Sequence, residues 1–158
     1  MVERHGTYRD YEWVIIFEQD GHRCGYVGIP EGHPFYEKSE EELPNISCHG
    51  GISITSHGNV GFSSDDWLIG FDCAHYPLDA IDLTSIGRYF GDRALDDIKC
   101  SPSMFEYRTK GHAWTADEVE EECKSIINQI IKYMENRPQV DPKILNEINK
   151  IYDDFMNG

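Results

Sequence analysis

YEWVIIFEQDGHRCGYVGI, residues 11–29, contains the clearest antiparallel hairpin signal in the chain. Its first half is rich in β-branched and aromatic residues, which favour a pleated, partly buried strand. Asp20-Gly21 follows, and glycine reaches the positive φ that a tight turn needs, so residues 22–29 are predicted to return as a second strand. Alternate side chains of the first strand share one face, which we expect to enter the core: Tyr11, Trp13, Ile15 and Phe17.

Two more strands are predicted further along the chain. NISCHGGISIT at 45–55 places apolar residues on one side and polar ones on the other, and WLIGFDC at 67–73 places Asp72 away from a core face. The apolar sides are Ile46, Cys48, Ile52 and Ile54 in the first strand, and Trp67, Ile69 and Phe71 in the second. The proline-rich, acidic stretch 30–44 between the two hairpins is typical of a surface loop.

The C-terminal third changes to a helical period. Residues 115–137 open with Thr115 and Glu118 in capping-box spacing and then repeat apolar residues at helical intervals until Pro138. Asp141-Pro142 opens a second helix, because a cap followed by proline at the first helical position is a common start. A short helix is also predicted over 82–91.

Strands before helices indicate an α+β fold, with an N-terminal antiparallel β-sheet followed by two C-terminal α-helices. We expect a single domain over residues 1–158, with the sheet part at about 8–114 and a helical hairpin at about 115–157. The second helix has a wide apolar face and little chain left to cover it, so the sequence predicts a homo-oligomer.

The composition limits the possible partners. The 158 residues carry a formal net charge of −15, from 29 acidic and 14 basic residues, which disfavours any nucleic-acid polymer. No apolar stretch approaches the length of a membrane span, and five cysteines without a CxxC pattern are typical of a reducing cytoplasm. Small anions are not excluded, because a few cations can reverse a local field; the candidates are Arg23, Arg88, Arg93, Arg108 and Lys110.

His49, Gly50 and Gly51 form the first candidate site. Two residues without Cβ would let a ligand approach the strand backbone while the imidazole donates a hydrogen bond. Strand glycines equally indicate a bulge or bend.

Asp72, His75 and Asp79 follow the next strand and, with His49, include the residue types of a zinc or manganese site. The same residues are compatible with ligand contact, or with an Asp–His hydrogen bond that only braces the loop. The preferred interpretation contains no metal and no cofactor.

FEYRTKGHAW at 105–114 alternates cations with aromatics. In an extended segment Arg108, Lys110 and His112 would share one side, and Trp114 could stack on a base while the cations held a phosphate. A solvated loop is the alternative.

CGYVGIPEGHPFY, HGGISIT and WLIGFDCAHYPLD, in that order and with a later VEEECKSIINQI helix, resemble a group of small proteins encoded by phages and prophages. The match spans roughly residues 11–135. An N-terminal sheet followed by C-terminal helices is similar to the Thoeris anti-defence sponges, which sequester cyclic ADP-ribose signals as oligomers. The resemblance implies a counter-defence protein in the host-cell cytoplasm that binds a small cyclic nucleotide without cleaving it.

Three functions therefore remain open. The first is a sponge for a small anionic nucleotide, with the expected ligand-binding residues His49, Gly50, Gly51, Asp72, His75, Arg108, Lys110 and Trp114. The second is a metal-dependent hydrolase of a nucleotide or phosphoester that uses His49, Asp72, His75 and Asp79. The third is an acidic inhibitor that binds another protein.

Overall fold

The structure is a computed structural model that describes residues 1–62, 66–137 and 142–157. Its centre is a five-stranded antiparallel sheet in the order β1-β2-β3-β5-β4. The strands are β1 (Val2–Tyr8), β2 (Tyr11–Phe17), β3 (Arg23–Ile29), β4 (Ile54–Gly58) and β5 (Asp66–Asp72).

Within the described residues, five helices follow the sheet. They are α1 (Leu83–Phe90), α2 (Asp92–Lys99), α3 (Pro102–Thr109), α4 (Ala116–Glu135) and α5 (Pro142–Asn157). The α+β class is confirmed, and α1 confirms the short helix predicted over 82–91. The described residues also form α2 and α3, which were not predicted, within the predicted sheet part. Hydrophobic periodicity did not predict α2 and α3, because neither helix contains a buried residue and so neither carries a fully apolar stripe.

The β2–β3 hairpin is confirmed. Its connection is longer than a two-residue turn: the amide of Glu18 donates to the carbonyl of His22, and the amide of Gly21 donates to Glu18, both at 2.9 Å. Gly21 takes the positive φ, at 101°. The predicted core face is confirmed for Trp13, Ile15 and Phe17, which are buried, whereas Tyr11 is only partly buried. Val14, on the opposite face of β2, is also fully buried.

The predicted strand at 45–55 is wrong for most of its length, because β4 begins only at Ile54 and pairs with β5 at the sheet edge. Gly50 and Gly51 both have positive φ, at 69° and 78°, which no strand accommodates in succession. The amide of Gly51 donates to the carbonyl of Cys48 at 2.9 Å, so the segment makes a turn. Residues 45–53 are therefore a loop that carries His49 towards the end of β5.

Helix α4 covers one face of the sheet. Thr115 and Glu118 form the predicted capping box. The buried side chains of α4 are Val119, Cys123, Ile126, Ile127 and Ile130, and they form one cluster with Ile15, Val27, Ile29, Ile69 and Phe71 of the sheet. Each such side chain contributes roughly 1.5–3 kcal/mol through burial, so this layer is the main core.

Helix α5 is confirmed over Pro142–Asn157, but the predicted helical hairpin is not observed, since α5 contacts neither α4 nor another described element. The expected stop at Pro138 and cap at Asp141 lie outside the described residues. Among the residues described, no helix is both long enough and apolar enough to cross a membrane.

His22 braces the β2–β3 connection and makes the fold sensitive to alkali. Its Nδ1 lies 2.5 Å from Oδ1 of Asp20. Burial lowers the pKa of His22, but the nearby side chains of Asp20 and Cys24 outweigh burial and raise the pKa from 6.5 to about 10. A raised histidine pKa adds stability that is complete below pH 6.5 and is lost as pH rises through about 10.

We therefore expect the free energy of unfolding to fall as pH rises from 6.5 to about 10, and the His22→Asn variant to show a smaller fall. Urea denaturation at a series of pH values measures both slopes. Comparing the two proteins removes the contribution of other groups that titrate in this range. Equal slopes for the two proteins would show that Asp20 and Cys24 do not raise the pKa of His22 in the folded state.

Candidate functional site

His49, His75 and Asp79 meet at the end of β5. His49 comes from the loop before β4, and His75 and Asp79 come from the turn that follows β5. One ligand atom from each side chain lies within 4.8 Å of the other two. Nε2 of His49 is 2.7 Å from Oδ2 of Asp79. We call these three residues the His–His–Asp centre.

Asp79 is the fixed member of the centre. It is 1% exposed, and its Oδ2 also accepts a hydrogen bond from the backbone amide of His75 at 2.9 Å. The backbone around it is held by a bridge to the segment before α4: the amide of His112 donates to Leu78, and that of Ala80 donates to His112. The carboxylate therefore keeps one orientation whether or not the histidines move.

His75 has an unused ring nitrogen. Its Nε2 is buried and makes no hydrogen bond, although Oδ1 of Asp72 lies 3.5 Å away. A buried polar atom without a partner costs free energy, so it indicates a missing ligand or proton acceptor. Asp72 is itself held by the amide of Ala74 at 3.1 Å and by the hydroxyl of Ser53 at 3.4 Å.

Gly50 lets the two loops come together. A Cβ at this position would overlap the imidazole of His75, so any other residue would displace that ring. Gly51, by contrast, faces open space. The two glycines therefore serve different purposes: the first makes room for His75, and the second allows the turn.

Trp114 closes one side of the centre. Its indole lies 4.3 Å from the ring of His49, centre to centre, and the ring of His75 meets His49 edge-on at 5.3 Å. Trp114 also lines a groove of about 380 Å³ whose other walls are the acidic side chains Asp117, Glu118, Glu121 and Glu122. The surroundings of the centre are therefore aromatic and negatively charged.

The predicted extended segment at 105–114 is wrong, because its first half belongs to α3. Lys110 pairs with Glu106 at 3.4 Å on the surface, and the guanidinium of Arg108 lies over the ring of Tyr76 at 5.6 Å. In the described part of the chain, neither cation forms an ion pair with Asp72 or Asp79. The contacts given for these two predicted phosphate-binding residues are therefore with Glu106 and Tyr76.

Sequence reasoning located most of the centre. His49, Gly50, Asp72, His75 and Trp114 were all expected at a site and do come together. Asp79 was expected only in the metal-site interpretation, and the structure makes it the central carboxylate. Its signal was the spacing Asp72-x-x-His75-x-x-x-Asp79, which places one carboxylate at the end of β5 and the other in the loop that follows.

The nearby thiols are not activated. Burial raises the pKa of Cys48 to about 11, and burial also raises the pKa of Cys73 well above its usual range. A nucleophilic cysteine needs the opposite shift, since the thiolate is the reactive form. The chemistry of this site therefore depends on the histidines and carboxylates.

The centre offers two imidazoles and one carboxylate whose ligand atoms lie within 4.8 Å of one another. These residue types match the donor set of a divalent transition-metal site. Three protein ligands leave a fourth position open, which is the arrangement of catalytic zinc sites, whereas structural sites use four. Asp79 also makes hydrogen bonds with the ring of His49 and the amide of His75, and these brace the loop after β5. The centre therefore has a structural role whether or not it binds a metal.

The fold and the centre define the protein as an α+β protein with a His–His–Asp cluster at one end of an antiparallel sheet. No protein-family model matches the chain, and neither the curated proteins nor the solved structures contain a match.

Proposed function

We propose that the protein is a metal-dependent hydrolase of a small phosphoester, with a zinc-like divalent ion held by His49, His75 and Asp79. The observation that supports it most is the unpartnered, buried Nε2 of His75 within a three-ligand cluster. A bound cation would remove the cost of that atom, and it would favour the ionised carboxylate of Asp79.

The charge of the surroundings favours a metal over a direct anion site. The chain carries a net charge of −15, and the groove beside Trp114 is lined by carboxylates. A phosphate would be repelled there unless a cation lay between it and the protein. A divalent ion supplies that charge and also lowers the pKa of a bound water, which provides the nucleophile for hydrolysis.

Each neighbouring residue then has a role. Oδ1 of Asp72 lies 3.5 Å from Nε2 of His75, the atom proposed to bind the ion, so this carboxylate adds negative charge beside the ion. Trp114 offers a flat apolar face on which a base or other planar group can stack. The open space beside Gly51 gives a substrate access to the backbone.

Sequestration of a small nucleotide remains the second candidate. The ring of Trp114 against His49 favours it, because base stacking needs no catalysis. The resemblance to anti-defence sponges supports the same interpretation. Lys110 pairs with Glu106, and Arg108 lies over the ring of Tyr76.

Metal binding is the first test. We expect metal-free wild-type protein to bind one equivalent of zinc, measured by calorimetry and elemental analysis. His75→Ala should weaken binding by at least about 100-fold, since even residues that only orient a ligand cost 10–100-fold when removed. His57→Ala is the matched control, because His57 pairs with Glu37 away from the centre. Wild-type protein without zinc, or His75→Ala protein that keeps it, would contradict the proposal.

Turnover is the second test, and it separates the two candidates. Zinc-loaded and manganese-loaded protein are incubated with bis(p-nitrophenyl) phosphate and with a panel of cyclic nucleotides, and the ligand is then released by heat. A hydrolase gives product over many turnovers, and His75→Ala reduces the rate to background. Release of intact nucleotide in stoichiometric amount would favour sequestration instead.

A further inference from the structure

Arg108 of α3 is a half-buried cation that no carboxylate of the described chain pairs with. Its Nε is buried and makes no hydrogen bond, and none of the ion pairs among the described residues includes its guanidinium. Arg4 and Arg23, by contrast, each contact two carboxylates. A buried donor without an acceptor costs free energy, so Arg108 indicates an acceptor that the described residues do not supply.

The hydroxyl of Tyr76 is a second donor of this kind beside the first. Cζ of Arg108 lies over the ring of Tyr76, 5.6 Å from its centre. The hydroxyl oxygen of Tyr76 is buried and makes no hydrogen bond within the described chain. A tyrosine hydroxyl keeps its proton at neutral pH, and a guanidinium can only donate. The two neighbouring side chains therefore offer donors that have no acceptor.

Backbone hydrogen bonds hold both residues in place. The carbonyl of Arg108 accepts from the amide of Ile81 at 2.9 Å. The carbonyl of Tyr76 accepts from the hydroxyl of Tyr107, also at 2.9 Å. The fold therefore keeps Arg108 and Tyr76 together whether or not an acceptor is bound.

The charges nearby leave Arg108 as an excess positive charge. Burial raises the pKa of Asp20, but His22 and, to a smaller extent, Arg108 outweigh burial and hold that pKa below 3.8. Asp20 contacts His22, whose pKa of about 10 keeps it protonated, so these two charges compensate each other at neutral pH. Arg108 therefore creates a local positive potential in a chain whose net charge is −15.

We propose that Arg108 and Tyr76 bind the phosphate group of a small ligand. A guanidinium binds two oxygens of a phosphate side by side, through two parallel N–H groups. The hydroxyl of Tyr76 then donates to a third oxygen, which a carboxylate does not have. Three donors and one uncompensated charge therefore favour a phosphate over a carboxylate.

This site does not depend on the metal centre. Tyr76 follows His75 in the sequence, but neither Tyr76 nor Arg108 belongs to the three residues that could hold an ion. Binding is therefore measured on metal-free protein, in which a phosphate cannot bind through an ion. A protein that binds phosphate here but never binds zinc would contradict the proposed hydrolase and support this site.

Calorimetry of metal-free protein with inorganic phosphate is the first test. We expect a dissociation constant of about 1 mM or lower. Arg108→Gln should weaken binding by at least about tenfold, because it removes a charge-assisted pair of hydrogen bonds. Arg88→Gln is the matched control, since Arg88 is an exposed arginine of α1. Wild-type protein that binds no phosphate at about 10 mM, or an Arg108→Gln variant that binds as well as wild type, would overturn the proposal.

Tyr76→Phe tests the second donor. Phosphate binding should weaken by roughly threefold to tenfold, because one hydrogen bond is lost. In phosphate-free buffer the variant should be at least as resistant to urea as wild type, since the hydroxyl has no partner to lose. A variant that is less stable and binds phosphate as tightly as wild type would show that the hydroxyl serves the fold, and it would overturn the role of Tyr76.

Titrations with acetate and with adenosine monophosphate identify the ligand. Acetate should bind at least about tenfold more weakly than phosphate, because it cannot engage all three donors. Acetate that binds as tightly as phosphate would overturn the assignment. Adenosine monophosphate that binds more tightly than inorganic phosphate, and loses this affinity in Arg108→Gln, would support the site as one for the phosphate of a nucleotide. Weaker binding of the nucleotide would support it as a site for the free ion.

Discussion

Replacing Arg23 with methionine should lower the free energy of unfolding by about 3–5 kcal/mol, the usual cost of leaving one partner of a buried ion pair alone. Arg23 is 4% exposed. Its guanidinium donates to both carboxylate oxygens of Glu3 at 2.6 and 2.7 Å, to Asp82 at 2.9 Å, to Ser85 at 3.0 Å and to the carbonyl of Trp114 at 2.8 Å. The variant keeps volume but removes every one of these donors.

The cost should be large because Glu3 stays buried. Its side chain is 6% exposed. Burial raises the pKa of Glu3, but hydrogen bonds from Arg23 and Tyr89 outweigh burial and hold the pKa below 4.5. Without Arg23 the carboxylate loses most of that compensation. Adding Glu3→Gln to the Arg23 variant should therefore restore part of the lost stability.

Arg4→Met is the matched control. Arg4 also contacts two carboxylates, Asp117 at 2.7 Å and Glu120 at 3.0 Å, but its side chain is 40% exposed. Exposed ion pairs contribute about 0–1 kcal/mol, so this variant should remain close to wild type in urea denaturation. Equal losses for Arg4→Met and Arg23→Met would show that burial of the Arg23 network is not what stabilises the fold.

Gly50→Ala should weaken zinc binding by roughly 10–100-fold and lower stability by about 1–3 kcal/mol. Two causes act together. Gly50 has φ of 69°, which strains any residue with a Cβ, and the added methyl group would occupy the position of the His75 ring. The imidazole must then move away from Asp79, and the three ligand atoms no longer meet.

Gly51→Ala separates the two causes. Gly51 has nearly the same φ, 78°, but its Cβ would enter open space. This variant should lose about 1–2 kcal/mol of stability from backbone strain and keep its zinc affinity. Chemical denaturation and zinc calorimetry on both variants make the comparison. If both variants lose zinc to the same degree, turn geometry controls the site, and the contact of Gly50 with His75 does not.

Local sequence patterns predicted the elements whose side chains alternate against a core. The β2–β3 hairpin, the buried face of β2 and the capping box of α4 depend on neighbours within a few residues, so the sequence alone was sufficient for them. Strand β1 was missed because it is an edge strand without a fully buried residue. The same local information placed Asp72 at the end of β5 and His75 and Asp79 in the loop after it, but it placed His49 within a strand, which is wrong.

Tertiary structure decided which of these residues meet. Residues 45–55 alternate like a strand, but two positive-φ glycines and the packing of Ile46 under α4 turn the segment into the loop that delivers His49 to Asp79. Arg23 looked like a free cation because its partners, Glu3 and Asp82, are distant in sequence. Residue spacing does not reveal such long-range pairing. Arg23 becomes buried and its charge is compensated only when Glu3 of the sheet, Asp82 at the start of α1 and the carbonyl of Trp114 before α4 come together around its guanidinium.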